Sequence, residues 1–202
     1  IPIAVWFVIY MGLFGFLEIV PPKEVHLIHC ALDDMIPHMA VFIYPYVSWF
    51  PYIVVCAYLA IKNLDDRQFK KAVLVLTTGM NIFLFISFVW PTGLNLREGI
   101  VYDLHTLSGN LLKFVQTVDT PKSVFPSMHV YVTLVLQYTL EMQKKLVPAW
   151  GIWVGRVLAV LIVLSTMFTK QHSAVDVTAA IVMFAVLALA AEKLVKEPKE
   201  GN

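Results

Sequence analysis

The sequence predicts an all-α polytopic membrane protein, a single domain over residues 1–202 built as a six-transmembrane-helix bundle. Two observations lead there. The chain is 59% hydrophobic and only 14% charged, with a mean hydropathy of +0.75, whereas a soluble domain is about 45–50% apolar and about 25% charged. The apolar residues also gather into six stretches, approximately 3–20, 39–61, 72–90, 127–143, 147–168 and 172–194. Each is close to the roughly 20 residues a helix needs to cross a bilayer core. The stretches are continuous and not alternating, which excludes a β-barrel.

The first stretch reads as a span and not a cleaved signal, because it is long and ends at Glu18 and Pro21-Pro22 without a small-residue cleavage site. The second contains Pro45 and Pro51 and is expected to kink. Cys30 and Cys56 form no CxxC pair, so zinc and dithiol redox work are not indicated. After the third stretch comes one long loop, residues 91 to about 125. In it Leu104, Leu107, Leu111, Val115 and Val118 recur at helical spacing, the pattern of a short interfacial helix. Such a helix either covers the bundle or forms a lid. Ser127 follows Pro126 and is a suitable cap for the fourth span. The turn Thr169–Gln171 is short, so the sixth span begins at the same level as the fourth. Two helix N-termini would then meet at one interface, a ready anion site.

Lysine and arginine choose the cytoplasmic side. Lys62, Arg67, Lys70, Lys71, Lys144, Lys145, Lys193, Lys196 and Lys199 fall on one side, nine residues against Lys23, Arg97, Lys113, Lys122 and Lys170 on the other. The expectation is an integral protein of the plasma (inner) membrane with both termini cytoplasmic. The His129 and His172 ends then face the periplasm, exterior or lumen. Arg156, inside the fifth span, is expected to bond Glu141 or backbone carbonyls, or to snorkel.

The chemistry-bearing residues lie at that outward face. His172 and Asp176 are four residues apart, so on a helix they share one face. An imidazole oriented by a carboxylate serves as nucleophile or base. His129, on a separate segment, would supply the acid. An ionised Asp176 at the bilayer centre would cost about 2.5–3.5 kcal/mol, less near the interface, so a purely structural role stays open. His26, His29, His38 and His105, with Asp33 and Asp34, show no zincin-type spacing and read as loop polarity.

At these residues the chain resembles the type 2 phosphatidic acid phosphatase superfamily of membrane lipid phosphatases and phosphotransferases. Pro126-Ser127-Met128-His129 matches that family's Pro-Ser-x-His motif. Its Ser-Arg-x-Tyr motif, followed by His and Asp, is approximated by Ser165-Thr166-Met167-Phe168 with His172 and Asp176. Two departures stand out. Arg97 is the one clear counterpart of the first motif, with Trp90 at the lysine position and Glu98 after the arginine. Thr166 stands where an arginine is expected. The degenerate first motif is similar to the branch of sphingomyelin and inositol phosphorylceramide synthases.

The resemblance implies a phosphohistidine mechanism with catalytic His172, His129 and Asp176. Phosphate binding falls to Arg97, Ser127, Ser165, Lys170 and Lys122, the two lysines replacing the missing charge, with neither metal nor cofactor. The substrate would be a phosphatidate-like or polyprenyl phosphate or diphosphate drawn from the membrane lipids; no nucleic acid is involved. The alternatives are a phosphotransferase that passes the group to an alcohol, and a transporter. The latter is disfavoured because the spans lack inverted symmetry and the charges collect at one face.

Overall fold

The computed structural model describes residues 2–20 and 24–195 and is mostly helical. Pro21, Pro22, Lys23, Lys196 and Lys199, read above as loop or tail residues, lie outside the described residues. The helices are α1 (Pro2–Ile19), α2 (Ala31–Met35), α3 (Ile43–Val47), α4 (Trp49–Asn63), α5 (Asp66–Val89), α6 (Leu107–Val118), α7 (Met128–Glu141), α8 (Ala149–Phe168) and α9 (Ala174–Leu194). Among the described residues, four helical segments are long and apolar enough to cross a membrane: 40–63, 66–89, 149–168 and 174–194. The expected first span is a shorter apolar helix, and the expected fourth, α7, has 14 residues.

Local chemistry sets the boundaries. α5 begins at Asp66, before the apolar run, because Asp65 and Gln68 form a capping box: Gln68 N–H donates to Asp65 Oδ1 at 2.8 Å, and Asp65 N–H to Gln68 Oε1 at 3.3 Å. The second segment forms three consecutive helical pieces. A 3₁₀ turn over Ala40–Phe42 leads into α3, and Ser48, itself in helical backbone geometry, joins α3 to α4. Pro51 has no N–H for the carbonyl of Val47, while the Ser48 hydroxyl donates to Pro45 O at 2.6 Å.

α7 is the hub, packed against α4, α5, α8 and α9. Its Val130, Tyr131 and Val135 are buried with Val75 of α5 and Val177 and Ala180 of α9. Small residues permit this approach. A side chain at Gly79 of α5 would overlap the Tyr131 ring, and one at Gly155 of α8 would reach 2.8 Å from Gln137 Oε1. Tyr131 also donates its hydroxyl to Val75 O at 2.5 Å. α1, by contrast, touches α5 through the Phe14–Phe83 rings and a Trp6 to Asn81 hydrogen bond of 3.1 Å.

The end of the bundle that carries His129 and His172 is tied together by three loops. β1 (His26–Leu27) and β2 (Thr92–Gly93) pair in parallel, and Gly93 bridges Lys122. Ile28, Leu94 and Val124 form a small core beneath them. α6 exists as its spacing predicts, capped by Thr106, and Leu111 and Val115 of the predicted stripe pack, partly buried, on the Ile43–Tyr46–Leu112 core. Gly109, Leu112 and Gln116 are buried, against Ile43 and Tyr46 in the case of Leu112, whereas Leu107 and Val118 stay 71% and 68% exposed. The buried stripe follows Leu112 because Gly109, one turn earlier, lets the helix start lie against the Asp103 carbonyl.

At the opposite end, charges pair between helices. Arg156 donates from Nε and Nη2 to the two carboxylate oxygens of Glu141 at 2.6 and 3.0 Å, as the sequence suggested, and lies over the Trp153 ring. Lys71 is ion-paired with Glu192, which also accepts from Tyr138 at 2.5 Å.

The α5–α7 contact yields a test. Gly79→Ala should destabilise the protein by about 1–3 kcal/mol through overpacking against a fixed aromatic ring. Gly15→Ala, whose added carbon meets open space, should not. Thermal unfolding of the detergent-solubilised variants decides; equal melting temperatures for both would contradict the packing described.

Candidate active site

His172 does not lie on a helix. α8 ends at Phe168, and residues Thr169–His172 turn tightly, with the N–H groups of Gln171 and His172 both donating to Thr166 O at 2.9 and 3.0 Å. Lys170 takes a positive φ of 56° in this turn. Ser173 then caps α9, and Asp176 is the third residue of the helix, so the two form a capping box. Asp176 Oδ2 accepts from Ser173 N–H at 3.0 Å and lies 3.2 Å from His172 Nδ1. The expected pairing of His172 with Asp176 is present, but a cap and not an i,i+4 helical face produces it. With Nδ1 directed to the carboxylate, Nε2 is the nitrogen left for chemistry. Asp176 is fully buried, and its Oδ1 has no partner among the described residues.

His129 enters from α7, two residues past its cap. Ser127 is that cap, its Oγ accepting from Val130 N–H at 3.4 Å, and its own N–H donates to Asp176 O at 3.2 Å. The latter bond fixes the start of α7 to the start of α9. The His129 and His172 rings stand 5.7 Å apart, centroid to centroid. Met128 and His129, the first residues of α7, have no intrahelical acceptors for their N–H groups, so this helix start remains suited to an anion. That of α9 does not. Its Ala174 N–H is already met by the buried carboxylate of Asp33 at 2.8 Å, which also accepts from Ser173 Oγ at 2.6 Å and Cys30 N–H at 2.9 Å, and its Val175 N–H donates to Ser173 Oγ at 3.1 Å. Burial pushes the Asp33 carboxyl up, but these donors outweigh it and hold it below the usual carboxylate value. The expected pair of anion-ready helix ends is therefore one, because α2 brings its own anion to the other.

Arg97 reaches into this end of the bundle. Its Nη1 donates to Asp119 O at 2.6 Å and its Nη2 to Gln171 Oε1. Arg97 Nε and Gln171 Nε2 are buried donors without partners among the described residues. Burial lowers the Arg97 guanidinium from its ordinary value, against the pull of Asp119. The other predicted phosphate ligands lie elsewhere. The Lys170 ammonium donates to Asp33 O and Ile36 O at 2.7 and 2.6 Å, closing the last turn of α2. Lys122 is exposed beside an apolar crevice of about 150 Å³ between α1 and α5 that Phe16, Val20 and Phe88 line. The Ser165 hydroxyl donates within α8, to Ile162 O at 2.6 Å.

Several contributors carry no motif. Tyr46 of α3 has its hydroxyl 3.0 Å from His129 Nε2 and 2.5 Å from Asp119 Oδ2, and the Trp49 ring lies 4.6 Å from that of His129. Asp33, read from the sequence as loop polarity, is one of the most enclosed carboxylates. One signal was legible: Asp33 and Asp34 sit in the first turn of a short helix opened by Cys30. Nothing local marks Asp119 or Tyr46. Among the remaining histidines, His29 pairs with Asp34 at 2.9 Å, His26 stacks near Trp90, and His105 is exposed. Among the described residues, no group of three or more His, Cys, Asp or Glu side chains is arranged to hold a metal ion.

No protein-family model, curated protein or solved structure matches this chain, so its function is read from the geometry of this end of the bundle.

Proposed function

We propose that the protein is an integral-membrane lipid phosphatase of the type 2 phosphatidic acid phosphatase kind, acting through a phosphohistidine. The observation that carries this reading is the convergence of two histidines from separate helices, 5.7 Å between ring centroids, one of them held by a carboxylate at Nδ1. His172 Nε2 attacks phosphorus as the bond to the leaving oxygen breaks, and His129 gives that oxygen a proton. Asp176 keeps the hydrogen of His172 on Nδ1 and balances the charge formed on the ring. A water molecule then attacks the phosphohistidine, with His129 taking its proton, and inorganic phosphate leaves. Arg97 and the free amides at the start of α7 stabilise the equatorial oxygens. The unpaired Arg97 Nε and Gln171 Nε2 donors favour an acceptor arriving there.

The bundle inserts with six spans in this reading. α7 is about 21 Å long at 1.5 Å per residue, short of a bilayer core of about 30 Å. It packs among α4, α5, α8 and α9 and needs no match to lipid thickness. The nine-to-five excess of basic residues supports cytoplasmic termini and histidines at the opposite interface, where a lipid headgroup would meet them while its tails stay in the bilayer.

Purified protein incubated with phosphatidate-like and polyprenyl phosphates, with and without alcohols, should release inorganic phosphate and the dephosphorylated lipid, read by mass spectrometry. Transfer to alcohol alone would make it a transferase, and no product would remove the reading. His129→Ala and Asp176→Asn should each lower kcat by about 10²–10⁴-fold, and His172→Ala by at least as much. Activity should persist in EDTA; loss restored by a divalent ion would contradict the mechanism.

For sidedness, single cysteines at exposed His105 and Lys145, in a Cys30→Ser background, should be labelled by an impermeant maleimide from opposite faces. His105→Cys should react from outside; the reverse pattern would overturn the orientation.

A further inference from the structure

His172 has a carboxylate directly on its ring; His129 has one at second hand. Asp119, the residue that ends α6, lies 2.5 Å from the Tyr46 hydroxyl, and that oxygen lies 3.0 Å from His129 Nε2. Tyr46 is 1% exposed, clamped in the core formed by Ile43 and Leu112. Asp119 is pinned through its backbone carbonyl by Arg97. A hydroxyl has one hydrogen. The short contact to a carboxylate, which can only accept, commits that hydrogen to Asp119. The Tyr46 oxygen is then left as an acceptor, and the ring nitrogen facing it must carry a hydrogen.

We propose that Tyr46 and Asp119 are positioning residues that fix His129 as the tautomer protonated on Nε2, making Nδ1 the atom that exchanges the catalytic proton. The proposal rests on the phosphatase reading above. Doubly protonated His129 donates from Nδ1 to the leaving oxygen and returns to the neutral Nε2–H form. The same Nδ1 lone pair then takes the proton of the attacking water, which restores the starting state. Nε2–H is never released, because Tyr46 holds it throughout. Asp119 supplies the negative charge that the hydroxyl passes toward the ring while it is cationic. The other charged or titratable groups facing the ring are His172 and Arg97, and Trp49 covers one side. α3, the end of α6 and α7 are thereby linked by side chains that no sequence motif contains.

The test is the tautomer itself, read by long-range ¹H–¹⁵N correlation on full-length protein with ¹⁵N-labelled histidine rings in lipid nanodiscs. A His129→Gln spectrum assigns the signal. Neutral wild-type His129 should be the Nε2–H form. Tyr46→Phe should abolish the single preference. Asp119→Asn should do the same, because the tyrosine is then free to turn its hydrogen toward Nε2. Both variants should lose about 10-fold or more in kcat on a lipid phosphate with KM changed by less than about 2-fold, the split expected when ground-state binding is untouched. A wild-type Nδ1–H tautomer overturns the proposal without using any variant. So does a wild-type Nε2–H tautomer that persists in both variants, or unchanged kcat in both. The expected tautomer in a protein that turns over no lipid phosphate would instead remove the phosphatase reading on which the role depends.

Discussion

One oxygen of Asp176 joins two tasks that in other contexts fall to different residues. It closes the capping box of α9 by accepting the Ser173 N–H, and it faces His172 Nδ1. The helix cannot start where it does unless the carboxylate is turned back toward the preceding loop, and once turned back it meets the imidazole. The same residue's backbone carbonyl accepts the N–H of Ser127, which starts α7. Two helix starts and both histidines are therefore referenced to a single residue that is wholly buried. Hydrogen bonds to a charged acceptor contribute about 1.5–3 kcal/mol each, enough to hold a loop of few residues against its conformational entropy.

Around this point the surrounding loops act as a brace. Asp33 accepts the Ala174 N–H of α9 and the Ser173 cap hydroxyl from one side, with the Lys170 ammonium closing the end of α2. Arg97 ties the end of α6 to the turn before His172 through Asp119 O and Gln171. Tyr46 ties α3 to His129. Every one of these contacts joins segments far apart in sequence. The result is a polar end on an apolar bundle in which Asp33, Asp119, Asp176, Arg97 and Lys170 all have partners, while the buried Arg97 Nε and Gln171 Nε2 donors have none among the described residues.

The helices were legible because an apolar stretch of about 20 residues has few alternatives. The Ser127 cap and the Arg156–Glu141 pair were legible because each depends on local chemistry. The pairing of His172 with Asp176 was also readable, though by a spacing argument that reached the right contact through the wrong geometry: i,i+4 on a helix and a capping box one residue later both bring these side chains together. What could not be read depends on tertiary placement. That Gly109, Leu112 and Gln116 form the most buried line of α6 is decided by the contact with Ile43 and Tyr46, and leucines and valines at helical spacing cannot report that. Lys170 was expected at a phosphate because it lies two residues from His172, yet its positive φ turns the side chain toward the carbonyls of α2. Asp33 and Asp119 stand far from any motif and acquire their roles only when the loops fold over the bundle.

The central claim is that His172 Nε2 becomes covalently bonded to phosphorus, and the intermediate itself is the most direct measure. A lipid aryl phosphate with a low-pKa phenol needs no acid to leave, so His129→Gln should still be phosphorylated while hydrolysis of the intermediate, which needs a base, slows. Alkaline quenching preserves phosphohistidine, and peptide mass spectrometry locates it. The account predicts stoichiometric phosphate on His172, formed with the burst of phenol and absent from the doubly substituted His129→Gln, His172→Ala protein. Phosphate on another side chain, or a phenol burst in which His172 stays unmodified, would contradict it.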